Sequence, residues 1–489
     1  MLRAFWTWNQ HPDSKWFFDK SVWQKMLRAM RGCGFDAMIL ADGHPMDDAA
    51  SDYEEMIHWV FETVLDYQIA PYMLISIPDD HDKLEYACRS AREMLESYPE
   101  IKGVFLSAGN QAIVDAIDAA RPDASIYIRA LSCWGGISNP APTGPVVEGI
   151  KRRGGRRIGY SVDYTGDHLV DANPDPAFAA WVEAAGAENV LAEFSVTNFE
   201  PWTSFSYDTV EGALANLTEL GCEGFSLHPL SVAEWPHTSD TFFKYQWQRD
   251  LVWYNVWGGT GVERLARQGQ PKWLPRNRKL VSGFEAGSRI MELLSLYFAG
   301  DKSSSWRPQS CSVQSEAGMR LLTIEDMLHL EDMPEFGALD WWQEITGDRV
   351  VHLAEYIASG TPADAYGPEE LIEELTDLSQ QAVAAGEKGL RSASGEKELP
   401  SFSRDAFCMG RLGEFYVERL RVALSHARGD DSEAVEHLAR ALGLYREIAD
   451  VDSSHREASN WAAVVKSLEA EHADASRCVF GRGGEYPIG

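Results

Sequence analysis

Apolar residues gather along the chain in short runs: LRAFWTW from Leu2, AMILAD from Ala37, PYMLISI from Pro71, GVFLSA from Gly103, SIYIRAL from Ser125, IGYSVDY from Ile158, VLAEFSV from Val190 and EGFSLHP from Glu223. Most starts are 32 to 35 residues apart, and one gap is 22. Short continuous runs of this kind suit strands buried on both faces, as in a parallel sheet. Between most of them lies a segment of helical period, such as SVWQKMLRAMRGCGF, DYEEMIHWVFETVLDYQ and DTVEGALANLTELGC. Each has a polar face and ends near Gly or a short loop. Eight strands alternating with helices predict a (β/α)8 TIM barrel over residues 1–260. An open doubly wound sheet would need a Gly-rich phosphate turn after the first strand. There the chain runs instead into NQHPDSKW.

From about Gly261 the strand signal fades. GFEAGSRIMELLSLYFAG, ALDWWQEITGDRVVHLAEYIASG, GPEELIEELTDLSQQAVAAG, RLGEFYVERLRVALSHARG and DSEAVEHLARALGLYREIADV all carry apolar residues at helical spacing. Residues 261–489 therefore read as an α-helical domain following the barrel. Polar, Gly/Ser-containing GEKGLRSASGEKELPS (386–401) reads as a surface loop, and CVFGRGGEYPIG as a tail. The connecting WGGTGVERLARQGQP is short, which implies that the two halves pack together.

Charge narrows the partners. The chain of 489 residues carries 75 acids against 44 bases, a net charge of −31. That argues against nucleic acid and anionic membrane as partners. One acidic sugar held by a local Arg stays compatible. Seven scattered Cys without a CxxC pair give no disulfide framework and no structural zinc site. No apolar run approaches the length of a membrane span. The opening MLRAFWTWNQ shows no charged-then-apolar leader, which points to the cytoplasm. The aromatic-rich helical half leaves room for a homodimer interface without marking one.

In a barrel, chemistry belongs at the strand carboxyl ends. Those ends carry Trp6, Trp8 and Asn9; Asp42 and His44; Ser76 and Asp79; Ser107 and Asn110; Arg129 and Trp134; Asp163, Tyr164 and His168; Glu193, Glu200 and Trp202; and His228 and Glu234. Acids at such positions can transfer protons, Arg can bind a carboxylate, and Trp faces can stack on pyranose rings. Glycosidic cleavage asks for two carboxylates placed across the bond. Each acid alone also fits a loop cap or an ion pair. Glu193 stands out because it lies inside an apolar strand, where an unpaired charge is costly. A structural ion pair is equally open for Arg129. Trp6 and Trp8 share a face and fit a core as well as a ligand platform. His44, His168 and His228 lack HxH or HExxH spacing, so no metal and no other cofactor is expected.

IYIRALSCW, YSVDYTGDH and VLAEFSVTNFE, in that order, resemble three successive strands of the α-glucuronidases that release (4-O-methyl)glucuronic acid from xylan. The resemblance implies a barrel followed by a helical domain, with functional positions falling on Arg129, Asp163, Glu193 and Glu200. LGEFYVERLRVALSHARGD is similar to the terminal helices of related barrel-plus-helix proteins. One departure matters. In that family a Glu just after the fourth strand is the general acid, accompanied by a Lys that binds the uronate. Here GVFLSAGNQAI has neither, and Ser107 and Asn110 stand in their place.

The expectation is an exo-acting glycoside hydrolase on a small carbohydrate, with Asp163, Glu193 and Glu200 as catalytic acids. Trp6, Trp8, Asn9, Asp42, His44, Asn110, Arg129, Trp134, Tyr164, His168, Trp202 and His228 are the expected substrate contacts. Crowding of the acids predicts that at least one has a raised pKa. A catalytically silent carbohydrate-binding relative and a barrel lyase or isomerase on a sugar acid are the alternatives.

Overall fold

The computed structural model describes residues 1–7, 15–41, 51–77, 81–130, 158–165, 171–195, 201–230, 235–238, 240, 242–258, 278–298, 306–315, 318–333, 336, 343, 347, 349–362, 364–392, 398–452, 461–477, 480 and 486–488.

Eight parallel strands close into a barrel in chain order. They are β1 (Leu2–Thr7), β2 (Ala37–Leu40), β3 (Ala70–Ile75), β4 (Gly103–Leu106), β5 (Ser125–Ala130), β6 (Gly159–Asp163), β7 (Val190–Phe194) and β8 (Gly224–Leu227). The last pairs back onto β1, with Leu2 opposite Gly224. Every residue of β2, β4, β7 and β8 is buried, as the continuous apolar runs require.

Around the barrel run α1 (Lys20–Cys33), α2 (Ser51–Asp66), α3 (His81–Ser97), α4 (Gln111–Ala120), α5 (Pro176–Ala185) and α6 (Tyr207–Leu220). Helix α1 shows the local logic. The Asp19 side chain accepts a hydrogen bond from the Ser21 amide at 3.0 Å and starts the helix. Val22, Trp23, Met26, Leu27, Met30 and Cys33 bury one face. Gly34 ends it in the left-handed region at φ 97°. A short helix, α7 (Leu251–Trp257), packs against α1 and α6 and completes the ring.

Aromatic side chains fill the barrel interior. Tyr127 of β5 stacks on Phe105 of β4, with centroids 4.8 Å apart, and Phe105 meets Trp6 of β1 edge-on at 5.4 Å. β1 and β4 are not neighbours, so this contact crosses the barrel. A Cβ on Gly159 would stand 2.5 Å from the Tyr127 ring, so β6 needs glycine at that point. Trp6 tops this column and forms the floor of the region above.

The carboxyl half is built on α8 (Arg278–Tyr297), α9 (Pro368–Leu390), α10 (Glu398–Ala427), α11 (Asp431–Val451) and α12 (Trp461–Ala475). α10 packs on α8, α9 and α11. Two sequence expectations change here. The expected loop 386–401 is largely helix: 386–390 finish α9 and 398–401 begin α10. Gly386 and Gly389 are close-approach residues, since a Cβ would lie 2.6 Å from the Ser403 carbonyl oxygen and 1.9 Å from its hydroxyl. Short strands also occur in this half, as an antiparallel sheet of Trp306–Arg307, Ser312–Ser315 and Gly318–Leu321, and a pair of Arg349–Val350 with Ala365–Tyr366. Strands of two to four residues are too short to show a period of two. Among the described residues no helix is long and apolar enough to cross a membrane.

The barrel meets the helical half along α6 and α8. The Phe205 amide donates to Ser288 Oγ at 3.0 Å, and Thr209 Oγ1 donates to Glu292 Oε1 at 3.2 Å. Burial raises the Glu292 carboxyl to about 7, against the opposing pull of Arg289. Folding thus favours its protonated form, against an unfolded value of about 4.3. Its contribution to stability is full below that unfolded value and is lost as pH rises through about 7. Glu292→Gln should remove this component. The stability difference between wild type and variant, followed by denaturant unfolding from pH 4 to 8, should shift in the variant's favour as pH rises. A pH-independent difference would contradict the assignment.

Candidate active site

The strand ends bring five described side chains together above Trp6. Register partners face the same side of a sheet, and β5 to β8 run Arg129–Ser161 and Asp163–Glu193–Ser226 in register. His228 follows Ser226 by two and so shares its face. Glu193 stands at the centre. Its Oε1 accepts from His228 Nε2 at 2.6 Å and from Arg129 Nη2; its Oε2 accepts from Arg129 Nε at 3.2 Å and Ser161 Oγ at 2.8 Å. The Arg129 guanidinium lies over the Trp6 ring, 4.5 Å from its centroid, and the His228 ring stacks on Trp6 at 4.9 Å and 16°. Arg129, His228 and Glu193 are all buried.

Electrostatics follow from this geometry. Burial works to raise the Glu193 carboxyl, but Arg129, followed by His228, outweighs it and holds the group down at about 2. Burial lowers the His228 pKa against the attraction of Glu193. His228 is therefore neutral near pH 7, and Nε2 carries the proton it donates to the carboxylate. Its other nitrogen, Nδ1, is the basic one.

Four donors on its two oxygens favour the ionised form of Glu193. A carboxylate held ionised in this way is not poised as a proton donor. Of the three acids expected to crowd one another, Glu193 is held below the usual carboxylate range and not raised above it, and Glu200 lies outside the described residues. Asp163 ends β6 beside it, on the same face and 1% exposed. Ser161 belongs to the site but was passed over in the sequence. Its signal was alternation, two positions before Asp163 in GYSVD.

Other expected contacts fall elsewhere. Trp6 is fully buried beneath Arg129 and His228, a floor rather than a sugar platform. Arg129 is committed to Glu193 through two of its nitrogens. Tyr164 follows an inward residue and so points outward; it packs on Phe178 and Phe194, and its hydroxyl donates to the Ala172 carbonyl at 2.6 Å. Asn110 caps α4, accepting from the Ala112 amide at 2.9 Å. Ser107 Oγ accepts from the Ile77 amide at 2.7 Å, so the fourth strand end is occupied by backbone support. Trp202 is buried against the helical half, stacked on Trp461 at 5.4 Å, with Nε1 donating to Asp452 at 2.8 Å. Trp8, Asn9, Asp42, His44, Trp134, His168 and Glu200 lie outside the described residues. Among the described residues no three His, Cys, Asp or Glu side chains gather as a metal site would need.

The architecture has solved counterparts. It is similar to a structure described as a GH138 enzyme targeting pectin rhamnogalacturonan II, with a TM-score of 0.77 and 16% identity over 97% of this chain and 67% of that one. More distant likenesses are CpGH84B, at TM-score 0.43 and 10% identity over 96% of this chain and 76% of that one, and an O-GlcNAc hydrolase from Thermobaculum terrenum, at 0.41 and 9% over 97% and 94%. These structural neighbours are glycoside hydrolases. At such identities the likeness is one of fold. No family model matches the chain, and no curated protein sequence matches it.

The Arg129–Glu193 pair makes a sharp energetic prediction. Glu193→Gln leaves the Arg129 cation buried without its counter-charge, which should cost about 3–5 kcal/mol in denaturant unfolding. Adding Arg129→Met should recover a large part of that loss. A single variant as stable as wild type would show that the pair is not closed in solution.

Proposed function

We propose that the chain is a glycoside hydrolase that removes a terminal sugar at the carboxyl-end mouth of the barrel. The observation that carries this reading is the placement of Asp163 beside a charge-fixed quartet of Arg129, Ser161, Glu193 and His228 on adjoining strand ends. Active sites of this fold lie at that face. Glu193 orders Arg129 and the His228 tautomer, and the rigid set presents fixed dipoles to a sugar ring. In this reading Asp163, Glu193 and Glu200 supply the carboxyls that act across the glycosidic bond, with Glu193 held as the ionised member. The fold likeness to an enzyme targeting pectin rhamnogalacturonan II is in keeping with a fragment of a plant polysaccharide, and a terminal uronic acid is the finer form of the proposal.

A silent carbohydrate-binding relative is the second reading. It draws support from the fourth strand, where Ser107 and Asn110 are spent on backbone hydrogen bonds and no acid stands.

Turnover separates the two. A panel of aryl glycosides, neutral hexosides and hexuronides, should release the aryl group with wild type. Asp163→Asn and Glu200→Gln should each lower kcat by about a hundredfold, the scale of acid–base catalysis. Binding of sugar without release from any member of the panel would favour the second reading.

A further inference from the structure

His228 is gripped through its backbone as well as its ring. β8 ends at Leu227, and its register with β1 ends there too, at Phe5–Leu227. One residue on, the His228 amide still donates to the Phe194 carbonyl at 3.0 Å. Its carbonyl has a different kind of partner: Trp253 of α7 donates its indole N–H to that oxygen at 3.3 Å. Two residues later the Leu230 amide donates to Asp250 Oδ2 at 3.1 Å, and Gln246 Nε2 holds Asp250 Oδ1 at 2.7 Å. The segment 246–253 thus takes the chain leaving β8 on both sides of Pro229.

Trp253 is fully buried, and a buried indole N–H needs an acceptor. Finding one is not automatic. Trp257, one turn on in α7 and equally buried, has no acceptor among the described residues. The aim of Trp253 is set by what packs on its ring. Phe205, just before α6, lies 5.2 Å away between centroids, and Trp257 lies at 5.4 Å. Phe205 in turn meets Phe284 of α8 at 5.4 Å, and its amide donates to Ser288 of α8 at 3.0 Å. Phe284 meets Phe402 of α10 at 6.0 Å. A continuous aromatic column therefore runs from the helical half to the main chain of His228. The ring of that residue has its own fixed contacts, with Nε2 2.6 Å from Glu193 Oε1 and Trp6 stacked against it. A turn of the His228 backbone moves the imidazole against both.

We propose that Trp253 is a positioning residue acting through His228: its hydrogen bond to the His228 carbonyl, aimed by Phe205 and Phe284, sets the imidazole on Glu193, so the helical half shapes the barrel-mouth site through the chain that leaves β8. The consequence for turnover rests on the hydrolase reading above; the positioning itself does not.

Two variants test it. Trp253→Phe deletes the donor and keeps an aromatic ring against Phe205. Phe284→Leu loosens the column from the helical half, two rings away from His228. Nitrogen-15 NMR of the histidine side chains at pH 7 reads the tautomer, with the His228 signals assigned by their loss in His228→Gln. Wild type should show the proton on Nε2. Trp253→Phe should move the His228 ring signals toward a mixture of tautomers, and Phe284→Leu should move them the same way by less. On the aryl glycoside that wild type cleaves best, Trp253→Phe should lower kcat about tenfold with KM within a factor of about three, since misplacement of a group by about an ångström can cost a hundredfold. His228 signals and kcat that match wild type in Trp253→Phe, whatever its melting temperature, would overturn the inference and leave Trp253 a core residue. Shifted signals with wild-type kcat would overturn the link to turnover. A shift in Trp253→Phe with none in Phe284→Leu would overturn the share given to the helical half. If Trp253→Phe does not fold, Phe284→Leu decides alone. If wild type cleaves nothing in the panel, the hydrolase reading fails, and the NMR signals still decide the positioning.

Discussion

A carboxylate inside a barrel must be neutralised where it stands, and Glu193 is neutralised by groups from most of the ring. Arg129 comes from β5, Ser161 from β6 and His228 from just beyond β8, while Trp6 of β1 lies under two of them. Four donors converge on two oxygens. Moving any of these strands would strand a buried charge, so the pair fixes the register of the half-barrel that carries the candidate chemistry. It also explains Trp6. A flat aromatic face beneath a guanidinium and an imidazole supports both without competing for their hydrogen bonds.

Much of this was legible in the chain. The repeat of apolar runs gave eight strands, and their carboxyl ends named Arg129, Asp163, Glu193 and His228. A charge in an apolar strand marked Glu193 as special, yet the same signal serves an ion-pair anchor and a catalytic acid. Only its partners separate the two, and they lie 64 and 35 positions away in sequence. Side-chain direction was legible where alternation was followed and missed where it was not: Tyr164 faces out because Asp163 faces in. Trp202 misled for another reason. An aromatic after a strand end looks like a platform, and nothing local shows that a helix 250 positions later supplies its hydrogen-bond acceptor. The glycines at 386 and 389 read as loop because propensity is a local statement. Close helix crossing is not local.

The helical half poses the same problem at its barrel-facing surface. Periodicity identifies its helices but treats Arg404 and Asp405 as solvent-facing, since charged residues usually are. Both are buried, and their pairing with Arg249 and Asp240 from the barrel is what allows it. Burying one member of such a cluster alone would be prohibitive, so these residues form a unit that neither half could bury by itself. Glu292, on α8, shows the weaker version. One partly exposed Arg289 does not offset its burial, and the carboxyl stays near neutrality in its titration.

These contrasts bear on chemistry at the barrel mouth. Within the quartet, the charges of Glu193 and Arg129 cancel and His228 is neutral. Under the hydrolase reading, a sugar meets fixed dipoles there, not a net charge. An acidic sugar gains no attraction from Arg129 while Glu193 holds it, so recognition of a carboxylate must come from residues outside the quartet. Positive charge developing at the anomeric carbon has a different need. Under the hydrolase reading it is served by carboxylates at the strand ends, Glu193 held ionised and Asp163 beside it in register. The buried pair thus holds the strand ends still and keeps Glu193 in its ionised form.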